Sequence, residues 1–327
     1  MKQIYKSIFA LALLALSAGV VSAQQISVVT PTGETTLFTD LNLAIQGAQD
    51  GSTVYLSGGG FQIKDETKIT KKLTIIGIGH RPDNDNADGN TTVSGNFFFE
   101  GGSDGSAVMG LYLSGDVNIG TTAAAVNIFC LRYCNVNSVQ VKNSNCQGVL
   151  INQNYVRNRS NGGDSPITFS NNITNQITHI NGGTIKNNII IGGTRCSTTD
   201  PFTSLTYIYS STIIDNVIEN FGYSGYGANY CGYFTKESEI IYNNAGGGNM
   251  CDIPLVWTEA FVGPNKGVDP SSNFHLKEGD NTVGVYGGTG FSDKALPPGP
   301  RIVSKKIAEQ TDANGNLPVE ITVSVEP

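Results

Sequence analysis

Two groups of side chains in this sequence could do chemistry. The stretch HRPDNDNADGN (80–90) packs three aspartates and three asparagines into eight residues. Asp83, Asp85 and Asp88 could offer carboxylate oxygens to a cation. Shifted by one, Asn84, Asn86, Asp88 and Gly89 imitate the start of a calcium loop. Gly95 stands where such a loop needs its bidentate glutamate, so the ligand set is incomplete. A plain turn rich in Asp and Asn accounts for the same composition and is the favoured reading. Calcium is the one cofactor the sequence could take, and none is required.

The second group is aromatic. The run FGYSGYGANYCGYF (221–234) carries Tyr223, Tyr226, Tyr230 and Tyr233, and Trp257 follows in VWTEAF. Flat rings with a polar tip suit stacking on sugars combined with hydrogen bonding. The same rings could instead form a small core beneath long loops. Asp200, Glu237, Glu239, Asp252 and Glu259 lie nearby in sequence. Sugar hydrolysis needs two carboxylates about 5–10 Å apart, and a lyase needs a positioned base.

The elements that would position these groups repeat. IKNNIII (185–191) and IIDNVIEN (213–220) share an apolar residue, an Asn three places on, and an apolar residue two further. The frame extends to anchors at Val54, Ile75, Val93, Leu111, Leu131, Ile151, Phe169, Ile185, Ile213 and Ile241, spaced 16–28 residues apart. Its fourth position is Asn in six of the ten frames: Asn96, Asn154, Asn172, Asn188, Asn216 and Asn244. The segments are short, β-branched and broken by Gly and Asn, which favours strands. No such pair of strands buries its own apolar face, but stacked coils do. Asn tolerates the left-handed backbone of a bend, and amides stacked in register can bond from coil to coil. The reading is all-β: a parallel β-solenoid with Asn154, Asn172, Asn188, Asn216 and Asn244 in one column.

The widest spacings mark insertions. Loops at about 192–210, 220–239 and 246–263 leave the frame at one place and should lie side by side. Each holds one of Cys196, Cys231 and Cys251, so at most one intramolecular pair forms among them; Cys130, Cys134 and Cys146 complete the set. Export permits disulfides, and the spacing leaves the pairing open.

Both ends need covers. In FTDLNLAIQGAQDG (38–51), Thr39 or Asp40 can cap a helix whose Leu41, Ala44, Ile45 and Ala48 share one face, and Asp50-Gly51 stops it. After ALPPGP, Asn314-Gly315 signals a hairpin, and Val319, Ile321, Val323 and Val325 alternate as in a half-buried strand. A lone hairpin is marginal, so it must dock on the solenoid or on a surface partner.

Residues 1–23 read as a signal peptide: Lys2 and Lys6, the apolar run IFALALLALSAGVV, then Val21-Ser22-Ala23. No later segment is long and apolar enough to span a bilayer. Export places the chain in the periplasm, on the outer surface or outside the cell. Losing the leader's two lysines takes the net charge from −7 to −9, which disfavours nucleic acid as a partner. Charged residues are only 14% of the chain, while Gly numbers 40 and Asn 32. Such a surface offers many neutral hydrogen-bonding groups and few titrating ones.

The segment LNLAIQGAQDGSTVYLSGGGFQI followed by KKLTIIGIG, with DPSSNFHLKEGDNTVGVYGG (269–288) near the end, resembles the right-handed parallel β-helix proteins of the pectin-lyase-like superfamily as secreted by bacteria. The resemblance spans roughly 35–290. It implies a β-helix domain over 24–290 with an N-terminal capping helix, followed by a hairpin tail over 291–327. It does not carry over a catalytic site. The paired aspartates and Gly-His-Gly of the polygalacturonase-like hydrolases are missing, as are the Trp-Ile-Asp-His segment of the pectate-lyase-like enzymes and the methylesterase run around its aspartate. Enzymes and non-catalytic binders share this fold. The first expectation is therefore a non-catalytic protein that binds a polysaccharide or cell-surface glycan, with Tyr223, Tyr226, Tyr230, Tyr233 and Trp257 as the recognition surface. The alternatives are a polysaccharide lyase or glycoside hydrolase of that superfamily, and a structural envelope component.

Overall fold

The computed structural model describes residues 25–81, 89–191, 205–219, 241–242, 249–252, 260–263, 267–277, 282–308, 310–311 and 315–326. Apart from the short helix Leu41–Gly47, the described elements are strands, and most of them pair parallel in two sheets of ten and fourteen strands. That arrangement is compatible with a solenoid.

Three parallel ladders organise the pairing. In the first, Val54, Ile75, Val108, Leu131, Ile151, Phe169, Ile185 and Ile213 stand side by side. In the second, Tyr155 pairs with Asn135 and Ile173, and the row continues through Ile189 and Val217 to Met250. In the third, Phe97, Val117, Val139, Ser160, Ile177 and Leu205 are in register. The chain visits the ladders in turn, as from Leu131 to Asn135 to Val139 and back to Ile151. The first-ladder anchors are at most 1% exposed. Burial of each such side chain is worth about 1.5–3 kcal/mol, which selects the register that points them inward.

Three of the ten expected frame positions belong to other ladders. Val93 pairs with Phe61 and Leu113 in the second ladder. Leu111 enters that same ladder, just before Tyr112–Leu113. Ile241 pairs with Ile208 in the third. Every ladder repeats once per coil with inward apolar residues, so a frame built on apolar spacing does not tell one ladder from another. The coil from Ile75 to Val108 is one long pass. On either side of residues 80–90, Thr91 N donates to Gly79 O (2.9 Å).

The asparagine column forms, with one substitution in its order. The backbone N–H of Asn154, of Asn172 and of Asn188 each donates to the Oδ1 of the next member, Asn172, Asn188 and Asn216, at 2.9 Å. The Nδ2 groups bond to the same oxygens at 3.0, 3.2 and 2.9 Å. Each Nδ2 also reaches a carbonyl of the preceding coil: Leu131 O, Ile151 O and Phe169 O. All four of these asparagines are fully buried. The fifth place belongs to Asn249, whose Oδ1 accepts from Asn216 N and Nδ2 at 3.0 Å; Asn244 lies outside the described residues. At the other end Cys134 takes the place, its N–H donating to Asn154 Oδ1 (2.9 Å).

These asparagines do not themselves make the left-handed bend. The residue before each one does: Tyr133, Gln153, Asn171, Asn187 and Asp215 have φ of 53–57°. Side chains at this position face outward, and three of them bind the C-terminal segment. Asn171 Nδ2 donates to Val285 O (2.8 Å) and Gly287 O (2.7 Å). Asn187 Nδ2 donates to Thr282 O (2.6 Å), and Gln153 Oε1 accepts from Ser292 N (2.9 Å).

At the N-terminal end Asp40 caps the helix, its carboxylate accepting from Asn42 N (2.7 Å) and Leu43 N (3.0 Å). Leu41, Ala44, Ile45 and Ala48 are buried as the spacing predicts, and the helix stops at Gly47, earlier than Asp50-Gly51. Asn42 ties it to the coil through Lys64 N, Thr67 Oγ1 and Gln62 O. Strand Thr35–Phe38 closes the ten-stranded sheet as its outermost, antiparallel member. At the other end Gly299–Ile307 and Val319–Glu326 pair antiparallel as a separate two-stranded sheet. Val319, Ile321 and Val323 are 53–55% exposed, so this alternating strand is open where half-burial was expected.

Candidate functional site

The outer faces of the second and third ladders differ in chemistry. On the second, Tyr155, Ile173, Ile189 and Val217 form an apolar row. Residues of the segment 260–296 cover it, chiefly Phe261, Phe274, Val285 and Phe291, and the cluster is buried. The Asn171, Asn187 and Gln153 bonds hold that cover in place.

On the third ladder the outer row starts at Phe98 and is polar from there through Asn118, Gln140, Asn161 and Thr178, which are consecutive partners; Thr206 continues the backbone register. Strand spacing sets such groups about 4.8 Å apart along the stack. Thr178 and Gln140 are buried, at 2% and 8% exposure, while Asn118 and Asn161 are partly exposed. Lys68 Nζ stands 3.4 Å from the centroid of the Phe98 ring at the N-terminal end of the row.

At the opposite end of the row lies an aromatic step. Thr178 and Thr206 are partners, so His179 and Tyr207 are neighbours, and their rings stack with centroids 4.6 Å apart at 29°. Both residues hold left-handed backbone, φ 56° and 53°. Non-glycine residues rarely adopt that conformation, and where they do the strain is often tied to a site. Gly162 on the coil before allows the bend at His179, because a Cβ there would sit 2.6 Å from His179 O. Thr178 Oγ1 fixes the imidazole through Nδ1 at 2.7 Å. Tyr207 is 44% exposed. The arrangement offers a flat ring in line with the partly exposed amides of Asn118 and Asn161, which can stack on and hydrogen-bond to a sugar chain.

The expected recognition residues Tyr223, Tyr226, Tyr230, Tyr233 and Trp257 lie outside the described residues, and so do Asp83, Asp85 and Asp88. What the structure shows is where their segments attach. Ile189–Ile190, Val217–Glu219 and Met250–Asp252 are neighbours in the second ladder, so residues 192–204, 220–240 and 253–259 follow equivalent positions. The first two rejoin at the third ladder, where Ile208 pairs with Ile241. The strand carrying Tyr207 is therefore the return of the first insertion. His179 and Tyr207 were not legible as a pair, because only the register makes them adjacent.

Chemistry of the hydrolytic kind finds little support in the described side chains. Tyr286 donates to Asp293 Oδ1 (2.5 Å) and stacks on His275 with ring centroids 3.8 Å apart. Burial, then the Asp293 carboxylate, hold the Tyr286 phenol far above its ordinary pKa, which makes it a proton donor and no base. Asp65 and Asp116 bracket Asn96, whose Nδ2 donates to Asp65 Oδ1 (3.0 Å) and whose Oδ1 accepts from Asp116 N (2.8 Å). The Asp116 carboxylate itself accepts from Asn137 Nδ2 (2.7 Å). Among the described residues no group of His, Cys, Asp and Glu could hold a metal ion, and no helix is long and apolar enough to cross a membrane. Cys130, Cys134 and Cys146 are free, and burial raises their thiols, that of Cys134 to about 12. Neutral thiols of this kind pack as small apolar groups.

No protein-family model, curated protein or solved structure matches the chain.

Proposed function

We propose that this chain is an exported, right-handed parallel β-helix of the pectin-lyase-like kind that binds a polysaccharide without cleaving it. The binding face is the outer row of the third ladder, from Phe98 through Asn118 and Asn161 to the His179–Tyr207 step. The observation that carries the reading is that step: an exposed tyrosine, stacked and held by strained backbone, at the end of a row of uncharged hydrogen-bonding groups. An uncharged row favours a neutral glycan lying along the stack, met by Asn118, Asn161 and the Tyr207 ring. Tyr223, Tyr226, Tyr230 and Tyr233 belong to the segment that rejoins the fold at this ladder and would extend the face, while Trp257 belongs to the segment that follows Met250–Asp252 in the second ladder.

The test is a glycan array on the exported protein, read for bound glycan and for cleavage products. Tyr207→Ala should weaken binding by about 1–3 kcal/mol, the scale of losing an interface anchor, with an unchanged melting temperature. Wild-type binding by that variant, or release of shortened glycan, would end the proposal.

A further inference from the structure

Both ends of the described fold leave apolar side chains uncovered beside an unpaired strand edge. At the N-terminal end the outermost strand Thr35–Phe38 bonds on one side only, to Ile26–Val29. Leu37 on it and Leu43 on the helix are each 58% exposed. They line a cleft of about 500 Å³ with Phe38, Thr39 and Asp40. At the C-terminal end the two-stranded sheet has both outer edges unpaired, and its apolar residues Val319, Ile321 and Val323 are open to solvent. Exposed edges of this kind recruit strands unless something covers them.

Charge indicates which edge meets which. The acids Glu34 and Asp40 flank strand Thr35–Phe38 with no base between them, while Lys64 acts on Asp40 and Lys71 Nζ bonds Gln46 O and Ala48 O at the far end of the helix. The carboxyl of Asp40 is held below its ordinary value, first by the Leu43 backbone N–H, so it stays ionised. Strand Gly299–Ile307 has Arg301, Lys305 and Lys306 and no acid, whereas Val319–Glu326 has Glu320 and Glu326 and no base. The pairing of Lys306 with Glu320 at 3.3 Å shows the same opposition within the hairpin. Two hairpins meeting through like edges would set base against base or acid against acid, whereas the basic edge against the acidic cap is complementary.

We infer that the occupant of the N-terminal cleft is the C-terminal hairpin of a second copy of this chain. Its basic strand lies along Thr35–Phe38 and brings the hairpin's apolar face to the cleft that holds Leu37 and Leu43. The contact is heterologous, cap to hairpin, so each bound copy leaves one free end of each kind. Unless the rotation closes a ring, copies add end to end. This does not rest on glycan binding.

Sedimentation velocity on the exported protein, from micromolar to submillimolar concentration, tests it. The weight-average mass should climb with concentration past that of a dimer, and added salt should lower it by screening the charged edges. A cap variant, Leu37→Lys with Leu43→Lys, and a hairpin variant, Ile321→Lys with Val323→Lys, should each sediment as a monomer. All four positions are exposed, so circular dichroism should match the wild type. Mixed, the two variants should form a complex that stops at two chains, because each contributes its intact end. A wild type that is monomeric throughout overturns the inference and leaves these faces to another occupant. A cap variant that still self-associates places the contact between hairpins and overturns it equally, as does a mixture that stays monomeric.

Discussion

Two rows of amides run along this molecule. The inward row, Asn154 through Asn216 to Asn249, and the outward row, Asn118 through Asn161, use similar side chains at the same coil spacing. In the inward row backbone and side-chain donors converge on each Oδ1, and every Nδ2 finds a carbonyl. In the outward row the engagement is local and slight: Asn118 Nδ2 reaches Phe97 O at 3.3 Å, and Asn161 Oδ1 accepts from Gly163 N. A saturated amide stabilises the fold and has nothing left for a ligand. An amide with spare capacity adds little to the fold and can serve recognition.

The contrast breaks most visibly at Asn188. Asn188→Leu removes the acceptor of Asn172 N and Nδ2 and the donor to Phe169 O. At about 1–3 kcal/mol for each buried group left unsatisfied, urea unfolding should show a loss of several kcal/mol. An unchanged midpoint would mean that the inward row is not what holds the coils. Next in size is Asn171→Ala, which sits between the two rows in character. It removes three bonds to the C-terminal cover, to Val285 O, Gly287 O and Thr289 Oγ1, and puts a Cβ-bearing residue without polar compensation at φ 53°. The expected cost is about 2–3 kcal/mol, with faster hydrogen exchange at Gly284 and Gly287. Protection equal to wild type there would detach the outward asparagine from the cover.

Asp40→Ala supplies a titrating contrast to the uncharged rows. Losing this cap should cost about 1 kcal/mol. Because the folded carboxyl is lowered from 3.8, its contribution is present above the unfolded value and is lost as pH falls through the lowered one. The difference between wild type and Asp40→Ala should therefore narrow only in strong acid, whereas that for Asn188→Leu should keep its size wherever the amides are the cause. A gap that instead narrows on going alkaline would contradict the assignment. Asn118→Ala should do least to stability, within about 0.5 kcal/mol as for surface positions, while weakening glycan retention. A large drop in melting temperature would move Asn118 into the structural class.

Much of this was legible in the sequence where neighbouring residues carry the signal. The Asn-centred frame identified four members of the inward row. The Asp40 cap and the Leu41, Ala44, Ile45, Ala48 face follow from local spacing. So do the strands of the terminal hairpin. What was not legible depends on which pass of the chain lies beside which. Val93, Leu111 and Ile241 obey the same apolar period as the first ladder but stand in others, and Asn249 takes the place expected of Asn244. The left-handed residue was misassigned by one position, because Asn187-Asn188 and Asn171-Asn172 are doublets that hide which member bends. The covered face depends on Phe274 and Phe291 returning to Tyr155 from more than a hundred residues away, and the stacked pair depends on His179 meeting Tyr207. No local spacing encodes those meetings.

The inward row has a bearing on how such a molecule can change in length. Each asparagine bonds the coil before and the coil after, and Asn154, Asn172 and Asn216 also bond the carbonyl two residues back in their own coil. Excising residues 172–187 would join Asn171 directly to Asn188, keeping a bending residue before a row member and presenting Asn188 Oδ1 to Asn154 in place of the one removed. The inward row therefore needs no repair at such a joint. The same excision takes away Asn187 and its bond to Thr282 in the cover, so the count of coils can drift only as far as the segment lying over them can follow.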